Sequence, residues 1–190
     1  MPRRLFAHAR RKPAAMFEIQ PKNAALYRQQ TRRSTVIIAL MFLALAMGLS
    51  TAAVALFGEP GGDNLRFNVG GVFVAVLLMV ALMRSTFWTR EWMAPAVYGW
   101  QLKRSLMSIT NVMHQVTAAV EQGDPSAMKL LRFYHLGLSQ MHELDGNSSD
   151  HSQLTREMDQ HKARMEALGI DTEQTRLNPA WIEAVKQASR

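Results

Sequence analysis

Five of the six histidines, His114, His135, His142, His151 and His161, fall in the second half of the chain, and they are the side chains best suited to metal binding or proton transfer. His135 and His142 stand seven residues apart, so they can share one face of a helix. His114, from a preceding helix, could join them in a metal site. Metal sites in helical bundles add inward carboxylates, typically in Glu-x-x-His pairs. Glu143 and Asp145 are near, but that pairing is missing. The expectation is ordinary, partly exposed histidines and no bound metal or cofactor.

Other chemistry fares no better. His142-Glu143 would need a second histidine at position 146 to make a zinc protease motif, and glycine stands there. There is no phosphate-binding loop, no dinucleotide fingerprint and no G-x-S-x-G. Ser139 falls mid-helix with no evident base, and Asp124 and Asn178 read as helix caps. The absence of cysteine excludes disulfides, thiolate metal sites and Cys nucleophiles. The 13 methionines lie mostly within apolar runs, as filler rather than as an exposed copper-binding array. No catalytic residue is expected, and the chain reads as a non-enzyme.

The elements that would carry these residues divide the chain in two. Residues 35–57 (TVIIALMFLALAMGLSTAAVALF) carry no charge and are long enough to cross a bilayer as a helix. Residues 67–83 (FNVGGVFVAVLLMVALM) form a second uncharged run near the lower length limit, with Arg66 and Arg84 able to snorkel outward. Between them GEPGGDNLR (58–66) breaks any helix, so the two spans are expected as an antiparallel transmembrane hairpin. Ala44, Gly48 and Ala52 on the first span, and Gly71 and Ala75 on the second, repeat small residues at four-residue spacing. Such faces let helices approach closely, within the hairpin or between copies. Arg32, Arg33, Arg84, Trp88, Trp92, Trp100, Lys103 and Arg104 are the expected membrane-interface residues, as basic anchors and an aromatic belt. Neither span has an ionisable residue at its centre, which argues against a two-helix transporter.

Charge sets the orientation. Residues 1–104 hold 14 basic and 4 acidic side chains, whereas residues 105–190 hold 8 and 11. The basic excess flanks the apolar runs, and the short turn is slightly acidic. The positive-inside rule then puts both ends in the cytoplasm of a bacterial inner membrane. The net charge of +7 does not signal nucleic acid, because the polar half is acidic. A cleaved signal peptide ending near Ala53-Val54-Ala55 is the rival, but the run is too long and too far from the start. Residues 1–15 read as a disordered basic tail or an over-extended gene start, with Met16 a natural beginning. Residues 16–34 then form a cytoplasmic juxtamembrane helix, entered through Pro21 and Asn23.

Residues 84–190 read as an interfacial segment followed by a cytoplasmic helical bundle. Leu102, Leu106, Ile109, Met113, Val116 and Val120 make one continuous stripe, with a break expected at Pro95. Asp124-Pro125 starts the next helix, striped by Leu131, Tyr134, Leu138 and Met141. Residues 145–149 are a turn. Leu154, Met158, His161, Met165 and Leu168 make a third stripe, closed by Gly169. Asn178-Pro179 opens a short last helix. Three such helices bury their stripes by packing antiparallel within one chain or, less simply, between chains.

The stretches RQQTRRST (28–35), ALFGEPGGDN (55–64), VYGWQLKRSLM (97–107), NVMHQVTAAV (111–120), GDPSAMKLLRFYHLGLSQMHELDGNSS (123–149) and MEALGIDTEQTRLNPAW (165–181) carry a family likeness. From Met16 onward the chain resembles an uncharacterised inner-membrane family of gammaproteobacteria, a domain of unknown function. The resemblance implies a small membrane protein and supplies no activity or site residues. The expected role is a membrane-anchored interaction or scaffold protein, with the bilayer and a protein partner or its own copies as contacts. No nucleic acid or small-molecule substrate is indicated. A small oligomeric pore, or an accessory subunit of a transport complex, is the alternative.

Overall fold

The computed structural model describes residues 17–147 and 151–188 and is all-helical across them, without a β-strand. The basic tail expected over residues 1–15 lies outside the described residues, and the turn expected over 145–149 is described only to Asn147. The chain divides into two compact units, Lys22–Trp100 and a second comprising Gln101 onward together with the segment before Lys22.

In the first unit, α1 (Ala24–Phe57) is one helix of 34 residues that runs unbroken through the expected juxtamembrane segment and the first apolar run. Asn23 caps it, its side chain accepting from the Leu26 amide at 3.0 Å. α1 stops at Gly58, two residues before Pro60, which has no amide to continue the ladder. The turn is closed by Asn64, which accepts from the Glu59 amide and donates to the Glu59 carbonyl. Asp63 accepts from the Leu65 amide, and α2 (Leu65–Ser85) begins. α1 and α2 pack on each other through Ala46 and Ser50 on one side and Gly71, Ala75 and Met79 on the other. Two short 3-10 turns, Phe87–Thr89 and Glu91–Met93, lead into α3 (Ala94–Thr110). Buried Ser34 of α1 donates to the Trp92 carbonyl at 2.7 Å and ties this segment to α1.

In the second unit, the later part of α3 is followed by α4 (Met113–Glu121), α5 (Pro125–Asp145), α6 (His151–Ala167) and α7 (Pro179–Ala188). The expected continuous stripe from Leu102 to Val120 is instead two helices. The chain tightens at Asn111–Val112, where the Val112 amide reaches the Ile109 carbonyl three residues back. Val112 takes the buried place expected of Met113, which is half-buried, and the rest of the stripe, Leu102, Leu106, Ile109, Val116 and Val120, is buried. α5 begins as expected, with Pro125 at its first position and Asp124 accepting from the Ala127 amide at 2.6 Å. Gly146 and Gly169, at φ +75° and +66°, end α5 and α6 in the left-handed region that favours glycine. The core gathers Ile109, Val116, Met128, Leu130, Phe133, Met165, Leu177 and Val185 around α5, and α7 is part of it.

Residues 17–20 do not join a juxtamembrane helix. They run extended beside residues 175–177, with amide bonds from Ile19 to Thr175 and from Leu177 to Phe17, both 2.9 Å. Glu18 pairs with Arg176 at 2.9 Å on the outside, while Phe17 meets the Phe133 ring edge-on. The Phe-Glu-Ile alternation has a period of two, which a helix cannot bury on one face.

Candidate functional site

α5 and α6 bring His135 and His161 together, their rings edge-to-face with centroids 5.4 Å apart. They line a cleft of about 580 Å³ that opens on the second unit. Met113 and Thr117 of α4 form one wall, Leu131 and Tyr134 the floor beside His135, and Glu157, Gln160 and Arg164 of α6 the other wall. The spacing of α6 explains its wall. Glu157, His161 and Arg164 recur four and three residues apart and share a face.

Each imidazole is held differently. His161 Nε2 lies 2.9 Å from the Met128 carbonyl, so that nitrogen carries the proton and donates. His135 is 6% exposed, and its Nδ1 is buried without a hydrogen-bond partner among the described residues. Burial pushes the His135 pKa down to about 4, with further lowering from His161 and Arg132 and an opposing pull from Glu157. Burial likewise lowers His161, opposed by the Met128 carbonyl and reinforced by Arg132 and Arg164. The cationic side chains are themselves engaged. Arg132 is buried and donates to the Thr172 carbonyl at 3.1 Å, and Arg164 donates to the Glu121 carbonyl at the end of α4. Both imidazoles are therefore neutral at pH 7. A general acid or base works best with a pKa near the working pH, and a group held near 4 is far from that.

The metal trio considered from spacing, His114, His135 and His142, is replaced by a different pair. His114 is exposed on α4, and the imidazole against His135 is His161. Nothing is described of the His151 side chain. Among the described residues no three His, Asp or Glu side chains converge as a metal-binding set. His161 was legible as a member of an apolar stripe. The stripe signals that His161 is buried and needs a polar partner, which is the Met128 carbonyl; it carries no signal of the contact with His135.

The other expected site residues lie mostly on the first unit. Arg32, Arg33 and Arg84 are exposed, Trp88 and Trp92 are half-buried, and Trp88 meets Trp100 edge-on at 4.9 Å. Lys103 and Arg104 belong to the second unit, where Lys103 pairs with Asp145 at 3.0 Å. Gly71 and Ala75 do face α1: a Cβ at Gly71 would stand 2.6 Å from the Ser50 backbone, and Ala75 is wholly buried. Ala44, Gly48 and Ala52 do not face α2. They are exposed, and a Cβ at Gly48 would meet nothing within 4 Å. The contact on α1 runs two positions away, through Ala46 and Ser50, and Ser50 Oγ donates to the Asn68 carbonyl at 3.0 Å. Four-residue spacing identifies a small-residue face but not its partner.

A family model described as protein of unknown function (DUF3087) matches residues 17–182. No curated protein and no solved structure matches the chain.

Proposed function

The chain belongs to the DUF3087 family, whose description assigns no activity, and from its physical features we propose a membrane-anchored interaction or scaffold protein without enzymatic activity. One observation carries the membrane half of the reading. α1 and α2 are both long and apolar enough to cross a bilayer, yet only 6% and 17% of their most apolar stretches are buried. The core helices of a soluble protein hide such residues. Here Leu56, Met47 and Phe73 are 75%, 63% and 62% exposed. Exposing a contiguous apolar surface of this extent to water is costly at roughly 25 cal/mol per Å², whereas lipid removes the cost. In this reading α1 and α2 form a transmembrane hairpin in a bacterial inner membrane. The flanking Arg32, Arg33 and Arg84 hold both chain ends on the cytoplasmic side.

The scaffold half rests on the second unit. Its cleft presents neutral imidazoles, a carboxylate and no activated nucleophile, which suits recognition better than turnover. Its contacts in this reading are the bilayer and a protein partner or its own copies, with no nucleic acid, cofactor or small-molecule substrate. A second reading, an oligomeric pore or accessory subunit, is favoured by the open Ala44–Gly48–Ala52 face on α1.

Alkaline carbonate washing and a C-terminal reporter test the anchor. The expected result is a pellet-bound chain whose C-terminal fusion is active only in the cytoplasm. Release by carbonate, or a reporter active only in the periplasm, would overturn it. Cross-linking in native membranes tests the scaffold, and recovery of the chain alone as an ordered oligomer with conductance in liposomes would establish the second reading instead.

A further inference from the structure

α6 is thinly attached to the second unit. Among its described side chains only His161 and Met165 are buried, while Leu154 and Met158 are half-buried and the others exposed. Its polar ties reach backbone carbonyls of two other helices. His161 donates to Met128 on α5 at 2.9 Å, and exposed Arg164 donates to Glu121 on α4 at 3.2 Å. Beside these ties runs the open cleft of about 580 Å³, where a close-packed helix seam would carry side chains. The two ends of α6 differ. Past its C-terminal end Gly169 turns the chain at φ +66°, Ile170 packs on the core, and the Thr172 carbonyl accepts from buried Arg132. Wholly buried Met165 belongs to this anchored end. Ahead of it lie only the half-buried Leu154 and Met158, and the buried residue that joins the two parts is His161. A helix with so few buried apolar contacts opens locally at lower cost than the core it lies on.

The charges around His161 give that opening a trigger. Its ring stands 5.4 Å from that of His135. Arg132 on α5 and Arg164 and Glu157 on α6 act on the two rings, whereas α4 lines the cleft with Met113 and Thr117, which do not titrate. Protonating both imidazoles sets two new cations beside two guanidinium groups, with Glu157 the one opposing carboxylate among these groups. Repulsion across the α5–α6 seam, and the hydration an imidazolium gains in water, then both favour separation. We propose that α6 is an acid-released latch: when His135 and His161 take up protons, the helix lifts from α5, from its N-terminal end toward Gly169, while α4, α5 and α7 stay folded. Because α6 supplies one wall of the cleft, the cleft is present at neutral pH and is dismantled by acid. The device belongs to the second unit alone and needs no bilayer.

Amide exchange of the full chain in mild detergent at pH 7, 6 and 5, expressed as protection relative to the intrinsic rate at each pH, tests the latch. At every pH α6 should be less protected than α5 and α7, and its protection should respond less to urea, because its opening exposes less surface than unfolding of the whole unit. Exposing His135, with a pKa of about 4 in the folded chain against an ordinary 6.5, should raise the open fraction of α6 roughly twenty-fold from pH 7 to pH 5, and His161 adds to this. His161→Gln keeps a donor for the Met128 carbonyl without titrating. Combined with His135→Leu, it should leave the protection of α6 equal at pH 7 and 5. Glu157→Gln removes the opposing carboxylate and should steepen the response to acid. Protection in α6 that matches α5 and α7 throughout would make the unit one cooperative block and overturn the latch. So would an α6 that exchanges alike at pH 7 and 5, or an acid response that persists in the double variant. If the double variant does not fold, Glu157→Gln and the comparison of α6 with α7 in the unaltered chain decide, and a response weakened by Glu157→Gln sinks the proposal.

Discussion

Acidification should destabilise the second unit through His135. Its pKa of about 4 in the folded chain, against an ordinary 6.5, means the unfolded chain binds more protons between those values. Stability is therefore fully present above pH 6.5 and is lost as the pH falls through 4. The gap of about 2.5 pK units corresponds to roughly 3 kcal/mol in total. About 2 kcal/mol of that is already gone at pH 5. The groups that face the ring set the sign: burial dominates, His161 and Arg132 disfavour its proton, and Glu157 alone favours it. His161 shifts the same way, so its own loss adds to that of His135. Urea unfolding of the full chain in mild detergent, read by amide exchange in α5 and α6 at pH 7, 6 and 5, measures the slope. His135→Leu should remove most of it, and because paired carboxylates are left unchanged, the difference between the two chains isolates the imidazole. A wild-type midpoint that does not move between pH 7 and 5, or an equal slope in the variant, would refute the buried neutral histidine.

Gly71→Leu should force α1 and α2 apart, since its Cβ would sit 2.6 Å from the Ser50 backbone, and thermal unfolding in detergent should register a loss of about 1–3 kcal/mol. Gly48→Leu meets nothing within 4 Å and should leave the melting curve unchanged, while lowering any dimer fraction seen by cross-linking. Gly99→Ala should be destabilising because of the Tyr27 hydroxyl, and Tyr27→Phe in the same chain should restore part of the loss, a coupling that a double-mutant cycle reads directly. Ser34→Ala strips the Trp92 carbonyl of a buried donor, and the same melts should show a cost of roughly 1–2 kcal/mol.

How far the sequence carries depends on how local the signal is. Asp124-Pro125, Gly146 and Gly169 announce helix ends through their own backbone preferences, and each end falls where its residue indicates. The apolar stripe from Leu102 to Val120 correctly identifies the buried face but hides the break at Asn111. A three-residue hydrogen bond there tightens the backbone and brings Val112, in place of Met113, onto the buried face. Long-range pairings are another matter. The contact of Phe17 and Ile19 with residues 175–177 joins opposite ends of the chain, and only the two-residue alternation hints at an extended segment. His135 was grouped with His142 by helical periodicity, whereas its neighbour His161 lies on another helix across a turn. Spacing within a helix tells which residues share a face. It does not tell which face of another helix they meet.

The two units differ in which side chains they bury. In the second unit Phe133, Leu130, Ile109 and Met165 are hidden and most charge is outside, buried Arg132 being held by the Thr172 carbonyl, the arrangement that water favours. Along the two long helices of the first unit the hidden positions are Ser34, Ala46, Gly71, Ala75 and Met79, four of them small, while Leu, Val and Phe are mostly exposed. Small residues inside give close van der Waals contact between helices, and that is the attraction still available when the solvent is itself apolar. A water-soluble helix pair would invert this order, since bringing Leu40, Leu43 and Met47 onto α2 would bury far more apolar surface than Ala46 and Ser50 do. The small-residue contact is the better choice only where hiding leucine gains nothing. The proposed bilayer supplies that condition, and the proposal rests on which side chains lie between α1 and α2 as much as on the length of either helix.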